Sequence, residues 1–362
     1  MTTRILFILK YREVTQDKND TWAPKKGLSS GLLNSASFVN SMLQSFNKDD
    51  IVSDIIQVYD NNDIDREVTK FKPDIVIIEA YWVVSTKFEV LTKLHPNVKW
   101  IIRNHSNVPF LANEGIAFGW TLEYVKFPKV YVSCNHMDAL IDIRNLVRSA
   151  FPDWTNDYVD EKIVFLPNYY PIAQNIEKKI YDSSLPEINI GCFGAIRPLK
   201  NHMIQALAAI EWARTHKKHL KFHINGNRLE GNGAPILKNI RETFARLPNA
   251  ELIEHEWLDH PQFLELVSTM DLGLQVSVTE TFNIVCADFI SQGVPVVASR
   301  EVHWVDERLH VTNITSSLSI IEVMDLALAS STWKSAPEKS VEKLAHHSER
   351  AKIQWYHALK NI

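Results

Sequence analysis

The sequence predicts an α/β protein of two domains, each built on a parallel β-sheet with helices on its faces. Three observations carry that expectation. The chain has 362 residues, more than one small core holds and enough for two domains of about 150–200 residues. Short β-branched runs alternate with helical patterns, the order that βαβ units produce. The alternation pauses once and then restarts, so the halves share an architecture without sharing a sequence repeat.

In the first half the strand candidates are "RILFILK" (4–10), "DIIQVY" (54–59), "DIVIIEA" (74–80), "VKWIIRN" (98–104), "KVYVSC" (129–134) and "KIVFLPN" (162–168). Several are apolar almost throughout, as strands covered on both faces must be. Helical patterns fall between them near 31–47, 61–71, 84–95 and 135–149. The stretch "NYYPIAQNIEKKIYDSSLPE" (168–187) carries two prolines and little strand character. It sets a first domain at 1–170 and a linker at 171–187.

The second domain, 188–335, repeats the rhythm with strands "INIGCFG" (188–194), "LKFHING" (220–226), "AELIEHEW" (250–257), "DLGLQVS" (271–277) and "VPVVAS" (294–299). Its helices are expected near 201–217, 234–247, 261–270, 282–292 and 316–330. A last helical region, 336–362, has apolar positions at helical spacing and would suit packing back on the first domain. Two such domains facing each other across a cleft would carry ligands at the carboxyl ends of their strands.

Composition is that of a soluble globular protein, with 45% hydrophobic and 23% charged residues. A net charge of −4 gives no general electrostatic case for nucleic acid or membrane, although a local basic cleft stays open. Cys134, Cys192 and Cys286 are far apart, fit no metal-ligand spacing and have apolar neighbours. They read as reduced core residues of a cytosolic protein. The N-terminal "MTTRILFILKYREV" is a core strand, too short in its apolar run for a signal peptide or a transmembrane segment. The location expected is cytoplasmic, with peripheral membrane association left open. The basic run "RTHKKHLKFH" (214–223) fits a helix C-terminus complementing its dipole.

Two stretches carry chemistry. In "SVTETFNIVCADFISQGVPVVAS" (277–299), a helix is expected to start near Phe282, with Glu280 just before it and Asp288 about two turns inside. The first N–H groups of such a helix lack partners and favour an anion. Carboxylates accept hydrogen bonds from paired hydroxyls, as on sugar rings. Taken alone, the same residues also fit a dipole-complementing acid and a partly exposed helix aspartate. In "INIGCFGAIRPLKN", a buried strand leads through Gly194 to Arg197 and Lys200 before a helix near Asn201. Two cations at a strand-to-helix turn suit a diphosphate, or are two solvated turn residues. Together the stretches hold the inventory for a nucleoside-diphosphate sugar.

At these residues the sequence resembles the donor-binding domain of GT-B-fold retaining glycosyltransferases, specifically the family 4 type. "FGAIRPLKN" is similar to that family's diphosphate turn. "ETFNIVCAD" is similar to its E-x7-E motif and is followed by "SQGVPVVAS"; the likeness runs from 188 to 299. It implies a GT-B architecture of two Rossmann-like domains, and a retaining, hexosyltransferase-like enzyme that needs no metal and no cofactor beyond its donor substrate. It implies that Arg197 and Lys200 neutralise the donor diphosphate, Asp288 takes the ribose hydroxyls and Glu280 holds the donor sugar. Backbone amides at Thr281, Phe282 and Asn283 would contact sugar and distal phosphate, and Trp257 falls near the base. In the first half, "PKKGLSSGLLNSASFVNSML" is similar to the family's glycine turn, with Ser30 and Gly31 in the glycine-pair positions. "IIRNHSNVPF" places His105 where the family carries a cleft histidine.

Departures bear on the donor sugar. Asp288 replaces a usual Glu, and Thr281 and Asn283 stand where glycines are common. The acceptor is expected among glycans and glycolipids, read by loops 11–30 and 105–127. Their aromatics (Tyr11, Trp22, Phe110, Phe118, Trp120, Tyr124) would either stack on sugars or close a core. A nucleic-acid base as acceptor is disfavoured by the net charge. A sugar-nucleotide epimerase and a non-catalytic sugar-nucleotide-binding protein are the other readings these residues allow.

Overall fold

The computed structural model describes residues 2–11, 31–46, 50–173, 176, 181–329 and 336–362. These form two compact units. The first contains the described residues up to 11, those from 31 to 171, and 347–362; the second contains those of 172–346.

The first unit holds β1 (Thr3–Lys10), β2 (Ile51–Val58), β3 (Ile75–Glu79), β4 (Lys99–Asn104), β5 (Val130–Cys134) and β6 (Ile163–Phe165). They form one parallel sheet in the order β2-β1-β3-β4-β5-β6. The period-2 geometry of a strand sorts its side chains onto two cores. Leu6, Ile8, Val76, Ile78, Trp100 and Ile102 belong to one. Ile5, Phe7, Ile77 and Ile101 join Trp355 and Leu359 on the other. Trp355 lies in the helix Ala336–Asn361, and its indole N–H donates to the Pro167 carbonyl at 2.8 Å.

β6 ends at Phe165 rather than running to 168, since Pro167 has no N–H to give a ladder. Helices at Val108–Leu111, Ala117–Tyr124 and Asn156–Lys162 appear where the sequence predicted none. In Ala117–Tyr124 the buried positions are Ala117, Thr121 and Tyr124, a helical spacing hidden by the threonine. Its hydroxyl donates to the Ala117 carbonyl at 2.8 Å. Tyr124 is buried with its hydroxyl on the Val83 carbonyl, and Phe118 and Trp120 pack against the core. These aromatics close a core. Trp22 and Ser30 lie outside the described residues.

The second unit holds β7 (Glu187–Gly191), β8 (His219–Ile224), β9 (Ala250–Glu254), β10 (Leu272–Gln275), β11 (Val296–Ser299) and β12 (His310–Val311). The order is β12-β11-β10-β7-β8-β9, again parallel. β12 was not expected; two residues leave no periodic signal. Strand order reverses at β7, which lies between β10 and β8, so a topological switch point falls between β7 and β10. At that point Gly191 pairs with Gly273. A Cβ on either would come within 2.8 Å of the Phe289 ring. The two glycines therefore seat Phe289, and with it the helix Ile284–Ser291, directly on the sheet.

The basic run 214–223 is absorbed internally. Arg214 lies in the last turn of the helix His202–Thr215, as a dipole partner should. Lys218 donates to the Ser183 carbonyl at 2.5 Å, Lys221 pairs with Glu187 at 2.7 Å, and His223 stacks on His255.

The glycine seat is testable. Gly273→Ala should destabilise the second unit by about 1–3 kcal/mol, the scale of overpacking, with faster amide exchange in 284–291. Unchanged exchange would mean that Phe289 adjusts freely and the glycine is not required.

Candidate functional site

The chain leaves β7 through a turn that needs a glycine. Gly194 has φ +117°, a conformation other residues rarely adopt, and donates its N–H to Asn225 Oδ1 at 2.9 Å. Pro198–Lys200 then forms one 3-10 turn, and Asn201, left-handed at φ 57°, begins the helix His202–Thr215. The turn after β10 is fastened to it. Val278 N–H donates to the Leu199 carbonyl at 2.8 Å. Gln205, fully buried, donates to the Lys200 carbonyl and accepts from Val276 N–H, both at 2.8 Å.

This framework brings the predicted residues together. Lys200 Nζ lies 2.5 Å from Glu280 Oε1, with side chains only 12% and 9% exposed. Arg197 Nη1 lies 3.0 Å from Glu230 Oε2. The other oxygen of Glu230 accepts from Arg228 Nη2 at 2.8 Å and Nε at 3.0 Å. Burial would raise the Glu230 carboxyl, but Arg228 and Arg197 outweigh it and hold the group below the usual carboxylate range. The Arg228 guanidinium sits 4.2 Å over the Trp257 ring. Trp257 is half-buried, three residues beyond the end of β9.

The helix after β10 starts at Ile284 rather than Phe282. Its first residues correct two expectations. Asn283 is left-handed at φ 62°, a conformation asparagine tolerates nearly as glycine does, which accounts for its standing where glycines are common. Its side chain accepts from Cys286 N–H at 3.0 Å and donates to Gln275 Oε1 at 3.1 Å. One helix N–H counted on for an anion is therefore already capped. Asp288 is little more than one turn inside, not two, and is 1% exposed rather than partly solvated. His260 Nε2 lies 2.8 Å from its Oδ1, which answers how a carboxylate is kept in an apolar helix. Phe282 is core: its ring lies 5.5 Å from Trp304, whose indole donates to its carbonyl at 3.0 Å. Thr281 is buried.

Several polar atoms at the same turns have no hydrogen-bond partner although buried: both ring nitrogens of His202, Ser277 Oγ and Thr279 Oγ1. Burial, with Lys200 and Arg197 nearby, pushes the His202 imidazole down to about 3.

His105 and Gly31 belong to the first unit and have other surroundings. Glu79, fully buried at the end of β3, accepts from Arg103 Nη1 at 3.1 Å and from His105 Nε2. Arg103 also donates to Asn168 Oδ1 at 2.8 Å, an oxygen that accepts from Ser35 at 3.2 Å and Asn135 at 3.3 Å. Burial would raise Glu79, but Arg103 and His105 together lower it. Burial and Arg103 outweigh Glu79 at His105, whose imidazole is lowered. At Gly31 an added Cβ would meet nothing within 4 Å, so close approach does not explain that glycine.

The sequence reading missed His260, Arg228 and Glu230. His260 follows the N-capping Asp259, and "NRLEG" (227–231) reads as a polar loop after β8; neither carries a pattern that names its partner. Among the described residues no group of three or more His, Cys, Asp or Glu is placed to hold a metal, and no helix is long and apolar enough to cross a membrane.

Two parallel Rossmann-like sheets, with a cation-bearing turn at one switch point, define a class, and comparison with solved structures gives it a name. Over 99% of both chains, the protein is similar to the trehalose-6-phosphate synthase OtsA (TM-score 0.70, 10% identity). Coverage is equal for an E. coli trehalose-6-phosphate protein bound with UDP-2-fluoro glucose (TM-score 0.67, 10% identity). A point mutant of S. aureus TarM, in complex with Fondaparinux, alpha-GlcNAc-glycerol and UDP, is similar over 81% of this chain and 57% of its own (TM-score 0.59, 16% identity). The chain has the GT-B fold of glycosyltransferases. No family model and no curated protein matches the sequence.

His202 gives a pH prediction. Unfolded, its imidazole titrates near 6.5; folded, near 3. Between those values the unfolded chain binds more protons, so its contribution is complete above about pH 6.5 and is lost as pH falls toward 3. The slope is at most about 1.4 kcal/mol per pH unit. Thermal unfolding of His202→Gln should show a flatter acid limb than wild type; an identical limb would contradict this assignment.

Proposed function

We propose that this chain is a retaining glycosyltransferase of the family 4 type, moving a sugar from a nucleoside-diphosphate sugar to an acceptor hydroxyl. The observation that carries this reading is the meeting of Lys200 with Glu280 at the switch point, with Arg197 on the same turn, in a GT-B fold. Cations suited to a diphosphate lie beside a carboxylate suited to sugar hydroxyls. The unpartnered hydroxyls of Ser277 and Thr279 add buried polar atoms at the turn where such a ligand would sit.

In this reading Asp288, oriented by His260, takes the ribose, and Trp257 lies near the base. In transfer, the bond from the anomeric carbon to the distal phosphate oxygen breaks and the acceptor oxygen bonds to that carbon on the same face. The acceptor proton passes to the leaving phosphate. Arg197 and Lys200 stabilise the charge that develops there. His105, held by Glu79, is assigned to the sugar or acceptor. Solved neighbours contain UDP or a UDP-sugar, so uridine donors are the first to test, with glycans and glycolipids as acceptors. Because side-chain cations already offset the diphosphate, turnover should persist in excess chelator; complete, metal-reversible loss would contradict this scheme.

The two acids separate the roles. Asp288→Asn should lose affinity for UDP, whose ribose is present without any sugar. Glu280→Gln, which also frees Lys200 of its counter-charge, should bind UDP at least as well as wild type yet transfer slowly, since contacts with the reacting sugar can strengthen in the transition state. Diphosphate affinity and turnover are measured for each variant. The reverse pattern would exchange the assignments, and no effect in either variant would remove both acids from the site.

A further inference from the structure

Glu230 and Arg228 lie outside every motif the sequence offered, yet they are wired into the diphosphate turn. Glu230 stands between two guanidinium groups, with one carboxylate oxygen on Arg197 and the other on Arg228. Its backbone is fixed as well. Ile196 N–H donates to the Arg228 carbonyl at 2.9 Å, and Glu230 N–H donates to the Ile196 carbonyl at 3.0 Å. Behind it, a Cβ on Gly233 would come within 2.0 Å of the Ile196 carbonyl oxygen. The segment 228–233 thus lies against the β7 turn, and the carboxylate cannot drift far from Arg197.

A carboxylate bridging two arginines occupies the positions that phosphate oxygens take. It also sets the local charge. Arg197, Lys200 and Arg228 supply three positive charges, while Glu230 and Glu280 remove two. The Arg228 guanidinium also lies over the Trp257 ring, the residue assigned to the base, which ties that residue to the same cluster of charges.

The charge of the ligand changes during transfer. A sugar ester of a nucleoside diphosphate carries two negative charges. The released diphosphate gains a terminal phosphate that ionises again with a pKa of about 6, and so carries nearly three at neutral pH. A fixed negative charge beside the site therefore opposes product more than donor.

We propose that Glu230 is a built-in counter-charge that loosens the site's hold on the released diphosphate, and that Arg228 is a third cation of the same anion site. The proposal rests on the donor reading given above. It assigns Glu230 to selectivity between donor and product, and it makes no demand on the acceptor.

The test is calorimetric titration of the full chain with inorganic pyrophosphate and with UDP at low salt. Glu230→Gln should bind both more tightly, by about tenfold, the size of one unit charge at about 6 Å under an effective dielectric near 40. The gain should shrink as salt rises. Arg228→Gln should weaken both by a similar factor, and the double variant should return near wild type. In turnover, Glu230→Gln should show stronger inhibition by UDP relative to its KM for donor. Unchanged or weaker binding by Glu230→Gln, with wild type binding normally, would overturn this inference alone and make Glu230 an orienting partner of the arginines. Absence of pyrophosphate and nucleoside-diphosphate binding in the wild type would overturn the donor reading together with it.

Discussion

The charge balance at the end of β7 conditions the rest of the second unit. Arg197 and Lys200 lie three residues apart on one tight turn, both largely withdrawn from water. Cations so placed need compensation, and it arrives from both neighbouring strands of the sheet. Glu280 comes from the turn after β10, and Glu230 from the turn after β8. The order β10-β7-β8 therefore determines which acids reach which cations. Gly191 and Gly273 complete the arrangement by letting the helix Ile284–Ser291 settle on the sheet, which brings Asp288 to His260.

A comparable constraint organises the first unit. Glu79, the last residue of β3, and Arg103, the last but one of β4, are in register on adjacent strands, and both are fully buried. Burying such a pair costs less when its remaining polar atoms find partners. His105 supplies one to Glu79 and Asn168 one to Arg103, and Ser35 and Asn135 donate to the same Asn168 oxygen, while Arg103 Nε is buried without a partner. Ala80, next to Glu79, adopts φ 69°, an uncommon conformation for alanine, and its N–H donates to the Arg103 carbonyl at 3.0 Å. The turn is thus pinned at the residue that holds His105.

Much of this was legible in the sequence, and for a physical reason. β3 is buried at every position, so it reads as an apolar run, Ile75 to Ile78, closed by the one acid, Glu79, that is buried with it. The turn after β7 announced itself through Gly194 and the cations that follow. Glu280 and Asp288 stood out as acids in an apolar setting. What stayed hidden were relations between distant residues. His260 and Asp288 are 28 positions apart and meet only because two helices lie on the same sheet. Arg228 and Glu230 looked like loop charges until the ladder to Ile196 placed them. The helix Ala117–Tyr124 was masked because a threonine fills one of its core positions, and β12 because two residues have no period. The start of the helix at Ile284 depended on Asn283 accepting a left-handed conformation that its side chain then uses as a cap.

Everything proposed for the second unit rests on the turn 197–200 serving as a diphosphate site. Its most direct measurement is calorimetric titration of UDP into the wild type, Arg197→Ala and Lys200→Ala, with circular dichroism to confirm that each remains folded. Each substitution should weaken binding by about 1.5–3 kcal/mol, the scale of a hydrogen bond to a charged group. Wild-type binding with unchanged affinity in both variants would contradict it.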